Sequence, residues 1–142
     1  MLRISDAASL ALHAMAVLAS VDDSSKMSVT SLSKRLAVSD HHLAKVMQRL
    51  NKQGLVSSRR GPKGGFVLAR PAGEITLLEI FEAIEGPLPN KTCLMNTMVC
   101  NGTCILGDLL HSVNRLVRQH LEKNSLADMA SGFVSEKKTF LP

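Results

Sequence analysis

Aromatic side chains are scarce in this chain of 142 residues, which has no tryptophan, no tyrosine and only four phenylalanines. A core must therefore be built from aliphatic residues and methionine. At 45% hydrophobic residues there are enough of them for one domain.

No run approaches the roughly 18 uninterrupted apolar residues that would span a bilayer. The apolar stretch 7–21 is interrupted by His13 and preceded by a single basic residue, which favours a capped helix over a signal peptide. We expect a cytoplasmic protein with no membrane partner.

Acidic residues are missing from one long part of the chain. None lies between Asp40 and Glu74, whereas seven lysines and arginines do. Residues 1–70 carry eleven basic and four acidic residues, and residues 71–142 carry six and eight. This asymmetry indicates that the first half binds a polyanion, although a solvated basic face would have the same charge count.

The chain contains three cysteines, all within residues 93–104. A disulfide framework would use an even number spread along the chain, so a metal site or a redox-active thiol is favoured. A cysteine-dependent oxidoreductase is the competing class. The sequence has no C-x-x-C pair, glycine-rich phosphate loop or nucleophile–base motif to support it, and we expect no enzymatic activity.

Apolar periodicity predicts three helices in the first half. The first is capped by Ser5 and ends near Ala19, and the second is capped near Ser28. The third covers about 40–53 and is capped by Ser39. Its buried stripe is expected to consist of Leu43, Val46, Met47 and Leu50.

Two short strands are predicted next, over 55–59 and 66–69, joined by a glycine-rich loop. Thr76 and Glu79 have the spacing of a capping box and open a fourth helix that stops at Gly86. An amphipathic helix follows from Ile105 to about Lys123, and Ser125 caps a short last one. A single long amphipathic helix needs an apolar partner, here a second copy or its own domain.

The predicted elements follow the order of a winged helix-turn-helix: helix, turn, helix and then a basic hairpin. The predicted fold is mainly α with a small β-hairpin, plus a long C-terminal dimerisation helix.

The third helix is expected in the major groove and the hairpin tip at neighbouring phosphates or in the minor groove. The predicted DNA contacts are Ser39, Asp40, His41, His42, Lys45 and Arg49 on the helix, and Arg59, Arg60 and Lys63 on the wing. Asp40 is repelled by phosphates unless it accepts from a cytosine amine, and a solvated helix face is the alternative for the two histidines.

Several motifs carry a family resemblance. The wing sequence RGPKGGF at 60–66 is followed by LARP and ITLLEI, with LALHAMAVLA in the first helix and SLADMA near the end. To about residue 130 the chain is similar to the IscR/NsrR-type winged-helix iron–sulfur transcription regulators of bacteria, the Rrf-two superfamily. The resemblance implies a homodimeric regulator, often a repressor, which binds a pseudo-palindromic operator in double-stranded DNA.

The resemblance also implies an iron–sulfur cluster held by Cys93, Cys100 and Cys104, which occupy the family's cysteine segment as C-x6-C-x3-C. Such a cluster would be 2Fe–2S or 4Fe–4S and would respond to redox state, nitric oxide or iron supply. A zinc site, a cluster-free thiol or small-molecule switch, and inert buried cysteines are the alternatives.

The fourth cluster ligand is not evident. Some relatives use a histidine three residues after the last cysteine, where this chain has Gly107; His111 is about 10 Å from Cys104 along a helix axis. Other relatives use an acidic residue of the partner's first helix, where this chain has Ser9. The neighbouring candidates on that helix are Asp6 and His13, and the alternative for His13 is a half-buried helix histidine.

The predicted organisation has four parts. Residues 1–86 form the DNA-binding domain and 87–104 the cysteine segment, while 105–134 contain the dimerisation and terminal helices. Residues 135–142 form a loose tail. Since the cysteine segment joins the DNA-binding part to the dimerisation helix, we expect cluster state to alter the relative orientation of the two recognition helices.

Overall fold

The structure is a computed structural model and describes residues 4–21, 26–61, 64–88, 93–95, 97 and 99–133. Lys63 and the tail 135–142 lie outside the described residues. Within these ranges no helix is both long enough and apolar enough to cross a bilayer.

The described residues form helices and one two-stranded antiparallel hairpin, which confirms the predicted fold class. A short 3-10 helix covers Ala72–Glu74 and precedes α4. The elements in chain order are α1 Asp6–Ser20, α2 Val29–Leu36, α3 Asp40–Lys52, β1 Val56–Arg59, β2 Gly65–Leu68, α4 Leu77–Glu85, α5 Ile105–Lys123 and α6 Leu126–Ala130.

All the described α-helices except α5 begin where a hydroxyl side chain accepts a hydrogen bond from a free backbone N–H group. Ser5 accepts from the N–H of Ala8 at 3.1 Å, and Ser39 accepts from that of His42 at 3.2 Å. The predicted capping box of Thr76 and Glu79 is present at the start of α4. Caps of the same kind are Ser28 before α2 and Ser125 before α6.

The core lies where α1 packs against α3, α4 and α6. Alanines on α1 let the neighbouring helices approach closely, and Met15 at its centre has no exposed surface. The predicted stripe of α3 is buried. It belongs to the same core cluster as Leu32 of α2 and as Ile80, Phe81 and Ile84 of α4.

The end of the chain returns to the first half. The N–H of Leu126 donates to the carbonyl of Ile75 at 2.7 Å, and that of Leu77 donates to the carbonyl of Asn124 at 3.0 Å. The Leu126 side chain is completely buried in the core, whereas Leu110 is the only buried residue of α5. Hence α5 is fixed at its C-terminal end and leaves most of its surface exposed.

The hairpin is attached to the helices by a contact that sequence periodicity did not predict. Val56 pairs with Leu68 and Arg59 pairs with Gly65. Beyond this ladder, Met27 and Phe66 form an isolated antiparallel bridge with N···O distances of 2.8 and 3.2 Å. The segment before α2 therefore pairs with β2 close to the turn of the hairpin.

The bridge leaves no room for a side chain at Gly65, since a Cβ there would lie 2.6 Å from the carbonyl oxygen of Met27. We expect Gly65→Ala to lower the free energy of unfolding by about 1–3 kcal/mol, because backbone must move to admit the methyl group. Gly73→Ala is the control, because nothing lies within 4 Å of its Cβ position. It should leave stability unchanged or raise it by up to about 1 kcal/mol. Equal urea midpoints for the two variants would contradict this account.

Candidate nucleic-acid interface and cysteine segment

One side of α3 is exposed and polar along its whole length. The exposed residues His41, Lys45, Gln48 and Lys52 follow one another at intervals of four, three and four, which places them on a single helix face. This stripe, the recognition face, lies opposite the buried stripe of α3. Gln48 and Lys52 were not among the predicted contacts, although counting the helical period from His41 identifies them. The face offers two lysine ammonium groups, an imidazole and an amide, a combination suited to phosphates and base edges.

Two predicted contacts hold the helix-turn-helix together. The Ser39 hydroxyl caps α3, and the Asp40 carboxylate accepts a hydrogen bond from the hydroxyl of Ser33 on α2. Ser33 is itself buried, so this bond joins the two helices across their turn. The Asp40 carboxylate therefore has a structural reason to lie near the expected DNA surface: it accepts the hydrogen bond that joins α2 to α3.

His42 and Arg49 lie beside the recognition face. His42 lines a shallow groove of about 430 Å³ together with residues of α1 and the end of α2. The Arg49 guanidinium donates to the carbonyl oxygen of Ile84 on α4 at 2.9 Å. Thus Arg49, predicted to contact DNA, also makes a contact within the protein.

The wing carries its charge at the end of the hairpin. Arg59 is the last residue of β1 and Arg60 follows it, and both side chains are exposed. The N–H of Gly64 donates to the carbonyl of Gly61 at 2.7 Å and closes the turn. A Cβ on Gly64 would lie 2.5 Å from the carbonyl oxygen of Arg59, so only glycine fits this turn.

Arg70, by contrast, belongs to the scaffold. Its guanidinium lies 2.6 Å from Oε1 of Glu79, and the other carboxylate oxygen, Oε2, accepts from the N–H of Thr76 at 2.9 Å. Burial acts to raise the pKa of Glu79, but the hydrogen bonds from Thr76 and Arg70 outweigh it and lower that pKa below its ordinary value. Glu79 therefore stays ionised and holds the chain that leads from the hairpin to α4.

The three cysteines are free thiols between α4 and α5. Cys93 is half-buried, and its sulfur accepts the N–H of Met95 at 3.4 Å. Cys100 and Cys104 are exposed, and Cys104 immediately precedes α5. Among the residues described, no three His, Cys, Asp or Glu side chains come together as a metal site. The donor chemistry fits an iron–sulfur cluster, because three thiols and a backbone N–H to sulfur are available on a segment outside the helices.

The candidates for a fourth ligand are on α1, in the groove beside His42. Asp6, Ser9 and His13 all line this groove. Nδ1 of His13 lies 2.7 Å from the carbonyl oxygen of Ser9, which can only accept, so Nδ1–H is the donor in this bond and Nε2 takes no part in it. The Phe133 ring lies 6.0 Å from the His13 ring, between centroids. No bond from this groove to the cysteine segment is seen among the described residues.

The N-terminal two-thirds of α5 exposes an apolar face. The exposed fractions are 87% for Ile105, 51% for Leu106, 57% for Leu109 and 68% for Leu116. Side chains of this size are rarely left in water as a continuous stripe on a protein that works as a monomer. These four residues are an apolar face that we propose as the contact between two copies, and they are called the dimerisation face of α5.

The helix-turn-helix, its polar recognition face and the basic hairpin define the class: this is a winged-helix DNA-binding protein. The sequence matches the Rrf2 family, described as "Iron-dependent Transcriptional regulator", over residues 4–132. The chain therefore belongs to the Rrf2 family. It is a transcriptional regulator and not an enzyme.

Three proteins illustrate the similarity. The HTH-type transcriptional regulator MT1325 of Mycobacterium tuberculosis is 30% identical over 137 residues, covering 95% of this chain and 85% of that protein. The structure of CymR, the global cysteine regulator of B. subtilis, superposes with a TM-score of 0.80 at 28% identity, covering 94% of this chain and all of CymR. The structure of T. potens IscR gives a TM-score of 0.74 at 25% identity, covering 92% of this chain and 87% of IscR.

Proposed function

We propose that this protein is a homodimeric cytoplasmic repressor whose operator binding responds to an iron–sulfur cluster held by Cys93, Cys100 and Cys104. One observation carries the proposal: the only cysteines of the chain lie on the segment between α4, which belongs to the DNA-binding core, and α5, which carries the dimerisation face. A group that binds all three sulfurs fixes the path of that segment, and when the group is lost the segment is free to take another path.

In this proposal each part of the chain has its own role. Lys45 and Lys52 contact phosphates or base edges, while His41 and Gln48 select bases in the major groove. Arg59, Arg60 and Lys63 reach the flanking backbone from the wing. Two copies joined through α5 present two recognition faces, which matches an operator with two half-sites one DNA turn, or a multiple of one, apart.

The cysteines connect this DNA binding to a signal. A bound iron–sulfur cluster supplies a group that is sensitive to redox state, nitric oxide and iron supply. The protein contributes three thiolates and the Met95 N–H that donates to Cys93. The description of the matching family as iron-dependent and the similarity to T. potens IscR support this assignment. For the fourth ligand, His13 of the partner subunit is our candidate, because its Nε2 takes no part in the bond to Ser9.

A second candidate is a thiol or zinc switch without a cluster. It is favoured by the exposed, unpaired state of Cys100 and Cys104 and by the similarity to CymR, which is described as a cysteine regulator. Zinc and iron–sulfur clusters both use thiolates, so the donor set alone leaves both candidates open.

Metal and sulfide content distinguish the two candidates. Protein purified without oxygen is expected to be brown, with iron and acid-labile sulfide in equal amounts and a visible absorption that oxygen or nitric oxide bleaches. A colourless protein that contains one zinc per protomer, or no metal and sulfide, would contradict the cluster proposal and favour the second candidate.

DNA contact by the recognition face is tested separately with Lys45→Ala. If Lys45 neutralises a phosphate, its loss should reduce the slope of log affinity against log salt concentration by about 0.9. Lys123→Ala is the matched control, since Lys123 is equally exposed but lies at the far end of α5 and should leave the slope unchanged. The probe is a labelled duplex that the wild-type protein selects from a random-sequence pool. Equal slopes for the two variants would contradict the placement of Lys45 on phosphate.

A further inference from the structure

The last turn of α4 has a backbone acceptor that its own helix does not satisfy. Because the helix ends at Glu85, the Ile84 carbonyl is among the last carbonyls that have no partner within α4, and the N–H of Leu88, four residues later, donates instead to the Glu82 carboxylate at 3.3 Å. The last turn of α4 also contains no basic residue. Arg49 of α3 supplies both missing elements, a donor to the Ile84 carbonyl at 2.9 Å and a positive charge at the helix C-terminus.

Glu82, half a turn earlier, connects the same end of α4 to the rest of the chain. Its carboxylate accepts from Leu88, at the start of the segment that leads to the cysteines. The Arg118 guanidinium of α5 lies 3.8 Å from the same oxygen. The C-terminal end of α4 thus contacts α3 through Arg49, the cysteine segment through Leu88 and the dimerisation helix through Arg118.

We propose that Arg49 is a positioning residue that couples the cysteine segment to the recognition helix through the C-terminal end of α4. This rests on the proposed function, in which the state of the cysteine segment controls operator binding. A change in the path of that segment acts first on Leu88 and, through its hydrogen bond, on Glu82, which lies in the last turn of α4 with the Ile84 carbonyl. Arg49 then transmits any shift of that carbonyl to the last two turns of α3.

A DNA contact and a positioning role make different predictions for Arg49→Gln. A lost phosphate contact lowers the salt slope by about 0.9, as expected for Lys45→Ala. A lost positioning contact lowers affinity for the selected duplex by about tenfold at every salt concentration and leaves the slope unchanged. We expect the second result, measured by fluorescence anisotropy with the full-length dimer.

The coupling is measured with a double-mutant cycle. The four proteins are the wild type, Arg49→Gln, the triple variant Cys93→Ala/Cys100→Ala/Cys104→Ala, and the combination. We expect the triple substitution to change affinity at least fivefold with Arg49 present and less than twofold with Arg49→Gln. Glu82→Gln removes the carboxylate that contacts Leu88 and Arg118, and should reduce the cysteine effect in the same way if Arg49→Gln does not fold.

The slope for Arg49→Gln and the size of the cysteine effect in the variants decide whether the coupling exists. A reduced slope for Arg49→Gln, or a cysteine effect of unchanged size in both the Arg49 and Glu82 variants, overturns the proposal. A triple variant that binds as wild type contradicts the proposed function and, with it, the coupling. The slope measured for Arg49→Gln still decides between positioning and DNA contact in that case.

Discussion

Replacing Leu109 and Leu116 with aspartate is expected to convert the protein into a monomer and to lower its affinity for the selected duplex by at least about 100-fold. The two side chains are seven residues apart on the dimerisation face, and 57% and 68% of their surfaces are exposed in a single copy. A charge at each position would be buried without a partner in the dimer. Loss of the second half-site contact removes the gain from linked binding, which is on the order of 100-fold or more.

Sedimentation and fluorescence anisotropy with a labelled duplex measure the two effects. Arg115→Asp is the control, because Arg115 is exposed on another face of α5 and should leave the dimer intact. Because both leucines are exposed in one protomer, the double variant should retain its helix content. A double variant that remains dimeric would contradict the assignment of this face.

Replacing the three cysteines with alanine is expected to reduce bound iron and sulfide at least tenfold and to change operator affinity between about five- and 150-fold, the range of typical allosteric couplings. The reason is that no other thiols exist in the chain to hold a cluster. Iron and sulfide analysis of anaerobic protein, together with anisotropy, measures both effects. Thr103→Ala is the control, since Thr103 is adjacent to Cys104 and its hydroxyl contacts only the Asn101 side chain among the bonds described. Full metal content in the triple variant would contradict the ligand assignment.

Local signals in the sequence predicted the elements of the fold well. Five of the six described α-helix starts depend on a hydroxyl three residues before the N–H that it caps, and the buried stripe of α3 depends on one helical period. The hairpin depends on glycines at its turn. Such features involve neighbours in sequence, so spacing and residue type are sufficient to identify them.

Contacts between distant segments were not predictable in this way. The bridge of Met27 to Phe66, the bond of Arg49 to Ile84 and the return of Leu126 to the core each join residues more than 30 positions apart. These contacts changed the interpretation of the site. Arg49 was predicted to contact DNA as a basic residue of α3; its observed partner is a helix carbonyl, and the DNA contact stays a prediction.

For the cysteine segment, residue type and spacing indicate a ligand set without giving its geometry. The segment has no helical or strand periodicity in its apolar residues. A cluster would add metal–sulfur bonds that cannot be inferred from contacts between residues of the chain. The contacts of Cys93, Cys100 and Cys104 with a metal, and the division of the chain at residues 86 and 104, therefore remain predictions.

The central claim is that a cluster on these cysteines controls DNA binding, and the most direct test compares one preparation before and after its cluster is removed. Affinity for the selected duplex is measured without oxygen for the brown protein and again after iron chelation. The account predicts at least a fivefold difference that disappears in the triple cysteine variant. Equal affinities for the cluster-loaded and cluster-free protein would contradict it.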